Sequence, residues 1–325
     1  MKAIVQDRFG SADTLEFADV DPPGPGPDDV LVRVRAASVN AYDWHLMRGD
    51  PYLARPVLGM TRPRQRIRGR DFAGQVTAVG ANVTRLAPGD EVFGEADGAF
   101  AEYVCAPRPA VDRKPAGLTF EQAAALPLAG GTALACLDAG RVQPGQEVLV
   151  NGASGGVGSF AVQVAASLGA QVTAVCSTRN VELARSFGAA HVVDHTREDF
   201  TRAGRRYDVV LDVVANRSLH DLRRALTPAG TLVLSGGGVS RGGRPSVAGP
   251  IGLSARAVLM SRLVRQRLVV VVHTPSVEKL ARLRELAEAG RVRPVIERTY
   301  PLGEAAGAIA RLELEHARAK LVVLV

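Results

Sequence analysis

The run Val150-Asn151-Gly152-Ala153-Ser154-Gly155-Gly156-Val157-Gly158 constrains this chain more than any other stretch. It ends an apolar strand pattern, EVLVNG (147–152), and opens a helical one, VGSFAVQVAASLG (157–169). Against the spacing G-x-G-x-x-G, Ala153 holds the first slot, Gly155 the second and Gly158 the third. A glycine at 155 lets backbone approach a pyrophosphate, and one at 158 lets the helix pack on its strand. The first helical N–H groups then face the anion. A single glycine-rich match is weak; its position between a strand and a helix gives it weight.

The surrounding rhythm supplies the context. After residue 120, QVTAVC (171–176), HVVDH (191–195), DVVLDVV (208–214), TLVLSG (231–236) and RLVVVV (267–272) read as buried strands. VELARSFG (181–188) and SLHDLRRAL (218–226) have helical spacing between them. Continuous apolar strands with helical crossovers predict a parallel sheet covered on both faces. Before residue 120, alternating segments such as VLVRVRAA (30–37), AGQVTAVG (73–80) and DEVFG (90–94) are parted by Pro/Gly/Asp turns. The tail changes rhythm again, with a helix at 276–289 stopped by Gly290, a second at 304–314 and the strand KLVVLV (320–325). A chain of 325 residues suits two domains, or one large one.

The second parallel strand ends in Cys176-Ser177-Thr178-Arg179-Asn180, about 20 residues past the glycine turn, where a carboxylate would bind the ribose hydroxyls of NADH. No Asp or Glu is there. A hydroxyl and a guanidinium suit a 2′-phosphate, so NADPH is expected over NADH. In the alternative, Thr178 or Asn180 caps the next helix and Arg179 is solvated.

Composition excludes other classes. With 46% hydrophobic and 22% charged residues the chain is not a disordered one. Its longest aliphatic runs, Leu268 to Val272 and Leu321 to Val325, fall far short of the ~20 residues of a membrane span. Charges at Asp7 and Arg8 interrupt any signal-like stretch, and a cytoplasmic protein is expected. Cys105, Cys136 and Cys176 are too widely spaced for a disulfide framework or a metal knuckle. The net charge of +7 comes from 40 basic residues of which only Lys2, Lys114, Lys279 and Lys320 are lysine. Such a charge speaks to association rather than chemistry, so nucleic acid is not an expected main partner.

Several blocks then resemble one family in order: SVNAYDWHLMRG (38–49), GRDFAGQVTAVG (69–80), PGDEVFG (88–94), GAFAEYV (98–104), LTFEQAAALPLAGGTAL (118–134), VLVNGASGGVGSFAVQVA (148–165), GAAHVVDH (188–195) and HARAKLVVLV (316–325). Over essentially its whole length the chain resembles the zinc-independent quinone oxidoreductase branch of the medium-chain dehydrogenase/reductase superfamily. Within that branch it is similar to the reticulon-4-interacting-protein-like NADPH reductases. The resemblance implies an α/β protein: a GroES-like β-rich catalytic domain over 1–125, completed by 272–325, and a doubly wound Rossmann NADPH-binding domain over 126–271. The active site would lie in the cleft between them.

The same resemblance implies site residues. Ser154, Gly155, Gly156 and Val157 would meet the pyrophosphate, and Ser177 with Arg179 the 2′-phosphate. His195 stands where relatives often carry a tyrosine near the adenosine end. Gly236 and Gly237 would approach the nicotinamide side, while Thr132 and Lys320 would contact the cofactor from the rim; Ala319 replaces the usual glycine before Lys320. Zinc-dependent relatives have Cys at the position of Asn40, His-Glu at Arg70-Asp71 and a third ligand near Pro127, and VFGEADGAFAEY (92–103) runs through the zinc lobe without a cysteine. No metal is therefore expected. His45 beside Trp44 reads as a packed or surface imidazole.

The implied activity is hydride transfer from NADPH to a small quinone or α,β-unsaturated carbonyl compound. Charge building on the acceptor oxygen needs a donor. Tyr52, one residue out of register with a tyrosine of related enoyl reductases, and Asn40 are the candidates, with Tyr52 alternatively a lining residue and Asp43 structural. Arg62, Arg64, Arg66, Arg68 and Arg70 alternate, so an extended segment would carry them on one face, as a solvated or salt-bridged loop or toward an acidic partner. The basic, apolar stretch 240–267 is expected to form a substrate lid or a surface for homodimerisation. An enoyl-thioester reductase and a non-catalytic NADPH- or RNA-binding scaffold are the alternatives.

Overall fold

The computed structural model describes residues 1–236, 247–315 and 317–325, which divide into two compact units. The first is Met1–Gly131 with Thr274–Val325, and the second is Thr132–His273. The division falls later than the change of sequence rhythm because it lies inside a helix, α4 (Pro127–Gly140).

In the first unit, β1 (Lys2–Val5) and β2 (Glu16–Asp19) form an antiparallel pair. A seven-stranded sheet is built from β3 (Asp29–Val39), β4 (Asp71–Val79), β5 (Glu91–Glu95), β6 (Tyr103–Pro107), β7 (Val111–Arg113) and two tail strands, β14 (Ile296–Pro301) and β15 (Lys320–Leu324). Its order is β14-β15-β3-β4-β5-β7, with β6 also on β3. Strand β3 buries Val30, Val32 and Val34 on one face; past a register shift after Val34 it is buried on both faces from Ala36 to Val39. Strand β15 is buried from Lys320 to Val323 and pairs antiparallel with β3, Leu321 opposite Val39. That pairing carries the tail into the first unit. Helices α1 (Ala41–Arg48), α2 (Arg55–Leu58), α3 (Phe120–Ala124), α9 (Val277–Glu288) and α10 (Ala305–Glu315) complete it.

The second unit holds six parallel strands: β8 (Glu147–Asn151), β9 (Gln171–Cys176), β10 (His191–Asp194), β11 (Tyr207–Asp212), β12 (Leu226–Leu234) and β13 (Arg267–Val270), in the order β10-β9-β8-β11-β12-β13. The chain winds outward from β8 in one direction and then from β11 in the other, the doubly wound order whose reversal point holds ligands. Side chains such as Leu149, Val210 and Leu232 are wholly buried, each contributing roughly 1.5–3 kcal/mol. Helices α5 (Gly156–Ser167), α6 (Val181–Ser186), α7 (Leu219–Arg224) and α8 (Gly249–Ser261) belong to this unit. Helix α8 falls in the stretch expected to be a lid or dimer surface; residues 240–246 of that stretch lie outside the described residues. No helix among the described residues is long and apolar enough to cross a membrane.

Candidate functional site

The glycine turn joins β8 to α5 at the C-terminal ends of the parallel strands. Gly152 has φ +91°, and the amides of Gly152 and Ala153 bond the Val175 carbonyl at 3.2 and 3.0 Å, which ties the turn to β9. A Cβ on Gly158 would lie 2.1 Å from the Gly152 oxygen, so the helix can pack on the turn only with glycine there. Gly155 differs. Its φ of −84° suits any residue, and a Cβ would meet only the Gly152 oxygen, at 3.5 Å. Nothing in the protein demands glycine at 155; a group brought against the turn from outside would. Helix α5 has no side-chain cap, and the amide that opens its ladder is that of Ser159, bonded to the Gly155 carbonyl at 2.9 Å. The preceding N–H groups are left to an anion. The turn therefore fits a pyrophosphate.

Beside it, β9 is followed by Ser177, half-buried, and Arg179, exposed. Asn180 is 4% exposed and makes no helix cap; its Nδ2 donates to Ser154 Oγ at 2.9 Å and Ser177 Oγ at 3.3 Å. Thr178 makes no cap either. Its hydroxyl donates to Asp194 Oδ2 at 2.5 Å, and that bond, with those from Thr196, holds the Asp194 carboxyl down at about 2. His195 is exposed after β10, its amide on the Cys176 carbonyl at 3.0 Å. The expected residues 154–157, 177, 179 and 195 thus follow three adjacent strands. Gly236, exposed at φ +71°, follows β12; Gly237 lies outside the described residues; and Thr132, buried, is in α4.

The sequence reading missed Asp212. Buried at the end of β11, it accepts Asn151 Nδ2 at 2.9 Å and the amides of Val214 and Ala215 at 3.2 and 3.1 Å, while burial raises its pKa. Asn151 Nδ2 also reaches Asn216 Oδ1 at 3.0 Å. These bonds shape the loop whose Val214 lines Gly152. A polar residue closing each of two adjacent apolar strands was the available signal.

The first unit gathers a separate polar cluster. Lys320, expected at a rim, is instead 2% exposed because β15 is covered on both faces. Its Nζ donates to Asn40 Oδ1 at 2.5 Å and to the Val39 carbonyl at 3.2 Å, and stands 3.8 Å from Asp71 Oδ2. Asn40 Nδ2 in turn donates to Asp71 Oδ2 at 3.0 Å, so both ends of the Asn40 amide are engaged inside the protein. Ser38 Oγ and the Leu128 amide also donate to Asp71, at 3.0 and 3.1 Å. Burial pushes the Asp71 carboxyl up to about 6 and that of Asp43, which accepts the Asn40 amide at 2.7 Å, up to about 7. Tyr52 is outside this cluster. It is 44% exposed, its ring 4.4 Å from the Arg55 guanidinium, and no hydrogen bond among the described residues joins it to Asn40 or Lys320.

The arginines of 62–70 do not share one face. Arg66 pairs with Asp7 at 2.7 Å, Arg70 with Asp97 at 2.7 Å, and Arg68 is buried. The salt-bridged loop is the arrangement found, which weakens the scaffold reading. His45 stacks on Trp44 with ring centroids 3.7 Å apart.

Comparison with known proteins adds an independent line. The family described as Alcohol dehydrogenase GroES-like domain matches residues 26–116, and that described as Zinc-binding dehydrogenase matches 187–323. Over 99% of its length the chain is 32% identical to mouse (Mus musculus) NAD(P)H oxidoreductase RTN4IP1, mitochondrial, covering 89% of that protein. It is 30% identical to the chloroplastic quinone-oxidoreductase QR1 of Triphysaria versicolor, covering 99% of this chain and 98% of that one. The solved quinone oxidoreductase from Coxiella burnetii superposes with a TM-score of 0.88 at 31% identity, over 100% of this chain and 99% of the other.

The chain belongs to the medium-chain dehydrogenase/reductase superfamily. Within it, the chain is similar to quinone oxidoreductases and to the RTN4IP1-like NAD(P)H oxidoreductases, and it is an oxidoreductase. The superfamily's GroES-like unit here carries an amide at Asn40 and a guanidinium at Arg70, groups with no affinity for zinc. Among the described residues, no three His, Cys, Asp or Glu side chains converge as a metal site.

Proposed function

We propose that the chain is a zinc-independent, NADPH-dependent reductase of quinones or α,β-unsaturated carbonyl compounds. The observation that carries the reading is the Gly155 turn, open on its outer side and flanked by the hydroxyls of Ser154 and Ser177. In this reading the amides of Gly156 and Val157 hold the pyrophosphate, which the bare Cα of Gly155 lets come close; the Gly155 amide itself is bonded to the Gly152 carbonyl at 3.1 Å. Ser177 and Arg179 hold the 2′-phosphate, His195 borders the adenosine, and Thr132 and Gly236 border the nicotinamide half. Bound there, NADPH supplies the hydride. Tyr52, with an accessible phenol, donates the proton that the acceptor oxygen needs. Asn40, whose amide is engaged within the protein, is read as a positioning residue that starts α1 through its capping box with Asp43.

Steady-state NADPH oxidation with a panel of small quinones and enones tests the activity. Calorimetric affinity for NADPH should exceed that for NADH by about tenfold or more, the worth of one charge-assisted hydrogen bond; tighter NADH binding overturns the cofactor assignment. Tyr52→Phe should lower turnover roughly 100-fold with nucleotide affinity unchanged. Unchanged turnover would assign the proton to solvent.

We further propose a homodimer. Strand β13 ends its sheet among the described residues, and nearby in sequence α8 exposes Ile251, Val258 and Leu259, with Leu263 exposed just after it. Sedimentation should then give twice the chain mass of 34.2 kDa. A cytoplasmic location is read from three unpaired cysteines, and cell fractionation tests it.

A further inference from the structure

Among the described residues, Asn180 is the one polar side chain that links the glycine turn to the segment after β9 through hydrogen bonds to two hydroxyls. Both hydrogens of its Nδ2 are used, one on Ser154 Oγ at 2.9 Å and the other on Ser177 Oγ at 3.3 Å. An oxygen that accepts from Asn180 keeps its own proton to give elsewhere. Neither serine proton has an acceptor among the described residues. The next hydroxyl along behaves oppositely, because Thr178 spends its proton on Asp194. Two donors are thus presented outward on neighbouring turns, separated by no more than the reach of one amide nitrogen. The Asn180 Oδ1 is buried and has no partner among the described residues, so the amide is not held by a bond of its own carbonyl.

We propose that Asn180 is a specificity-determining positioning residue, which turns the Ser154 and Ser177 hydroxyls into a two-donor clamp for a phosphomonoester on the adenosine ribose. The inference rests on the NADPH reading above and extends it: beside the direct contacts of Ser177 and Arg179, part of the discrimination against a nucleotide lacking that phosphate is set by a residue that does not touch it. Replacing the amide by a carboxylate reverses the pattern, since Asp at 180 accepts both serine protons and draws them inward. It also sets a negative charge beside the phosphate.

The experiment is calorimetric titration of the full chain with 2′,5′-ADP and 5′-AMP, probes that differ by the monoester and require no turnover. Wild type should bind 2′,5′-ADP about tenfold or more tightly than 5′-AMP. Asn180→Asp should weaken 2′,5′-ADP by about 30-fold or more and 5′-AMP by less than about threefold. Asn180→Ala, which frees the serines to rotate, should cost 2′,5′-ADP about three- to tenfold. In a Ser154→Ala/Ser177→Ala background, Asn180→Ala should add nothing, because the residue acts only through those hydroxyls. Circular dichroism of each variant secures the fold, and the alanine cycle decides the matter even if Asn180→Asp does not fold. A wild-type ratio retained in Asn180→Ala, or a further loss in the serine-free background, overturns the clamp. A preference for 2′,5′-ADP that survives Asn180→Ala undiminished overturns the clamp alone; wild type that binds both probes alike overturns the NADPH assignment as well, and wild type that binds neither NADPH nor NADH overturns the proposed function and the clamp with it.

Discussion

Lys320→Met should destabilise the chain by roughly 3–5 kcal/mol at pH 7.5, the usual cost of removing one partner of a buried ion pair. The ammonium makes two hydrogen bonds, to Asn40 and the Val39 carbonyl, and is the nearest cation to Asp71 at 3.8 Å. Burial already lifts Asp71 to about 6, Lys320 pulling it down and Glu95 pushing it up. Without the lysine the folded-state value rises further above its ordinary 3.8. A carboxyl with a raised folded pKa binds its proton more readily folded than unfolded. Its contribution is therefore complete below the unfolded pKa and is lost as pH rises through the folded one. The deficit of Lys320→Met should accordingly be smallest near pH 4 and grow as pH rises through about 6 toward the variant's higher folded-state pKa. Adding Asp71→Asn should recover much of it at pH 7.5. Chemical denaturation across that range is the measurement, and a deficit below about 1 kcal/mol that ignores pH would contradict the buried pair.

Gly155→Ala and Gly158→Ala should part company, although the two positions are three residues apart in one turn. At 158 the new methyl falls 2.1 Å from the Gly152 oxygen and 2.8 Å from the Ala153 Cα, both backbone, so the turn itself must move. About 1–3 kcal/mol of stability should go with it, and NADPH binding with the turn's shape. At 155 the methyl meets only the Gly152 oxygen at 3.5 Å and the backbone is unstrained. Stability should stay within about 0.5 kcal/mol, yet NADPH affinity should fall about tenfold or more as the pyrophosphate loses its close approach to the amides. Denaturation and calorimetry on the same two variants separate the outcomes. Full NADPH affinity in Gly155→Ala would remove the main support for the cofactor site.

Much of the second unit was legible in the chain. QVTAVC is β9 residue for residue, and EVLVNG, HVVDH and VGSFAVQVAASLG match β8, β10 and α5 to within two residues at each end. These patterns are local: a strand buried on both faces needs an unbroken apolar run, and its helix needs 3.6-residue spacing, whatever else the chain does. For the alternating arginines the salt-bridged loop was among the readings, but not its partners, because alternation says which way side chains leave an extended backbone and not whether Asp7 or Asp97 waits for them.

By itself, then, the order of residues determined the two rhythms, the phosphate-type turn and the absence of a carboxylate at the end of β9, each encoded within a few neighbouring positions. Only the tertiary structure decided what the polar side chains do. Lys320 meets Asn40 across 280 residues because β15 pairs with β3. Asn180 turns from a helix cap into a link between two serines because β9 lies beside β8. A hydrogen bond is directional and short, so its partner is chosen by which strands come together, and strand pairing between distant segments leaves no mark in the local pattern.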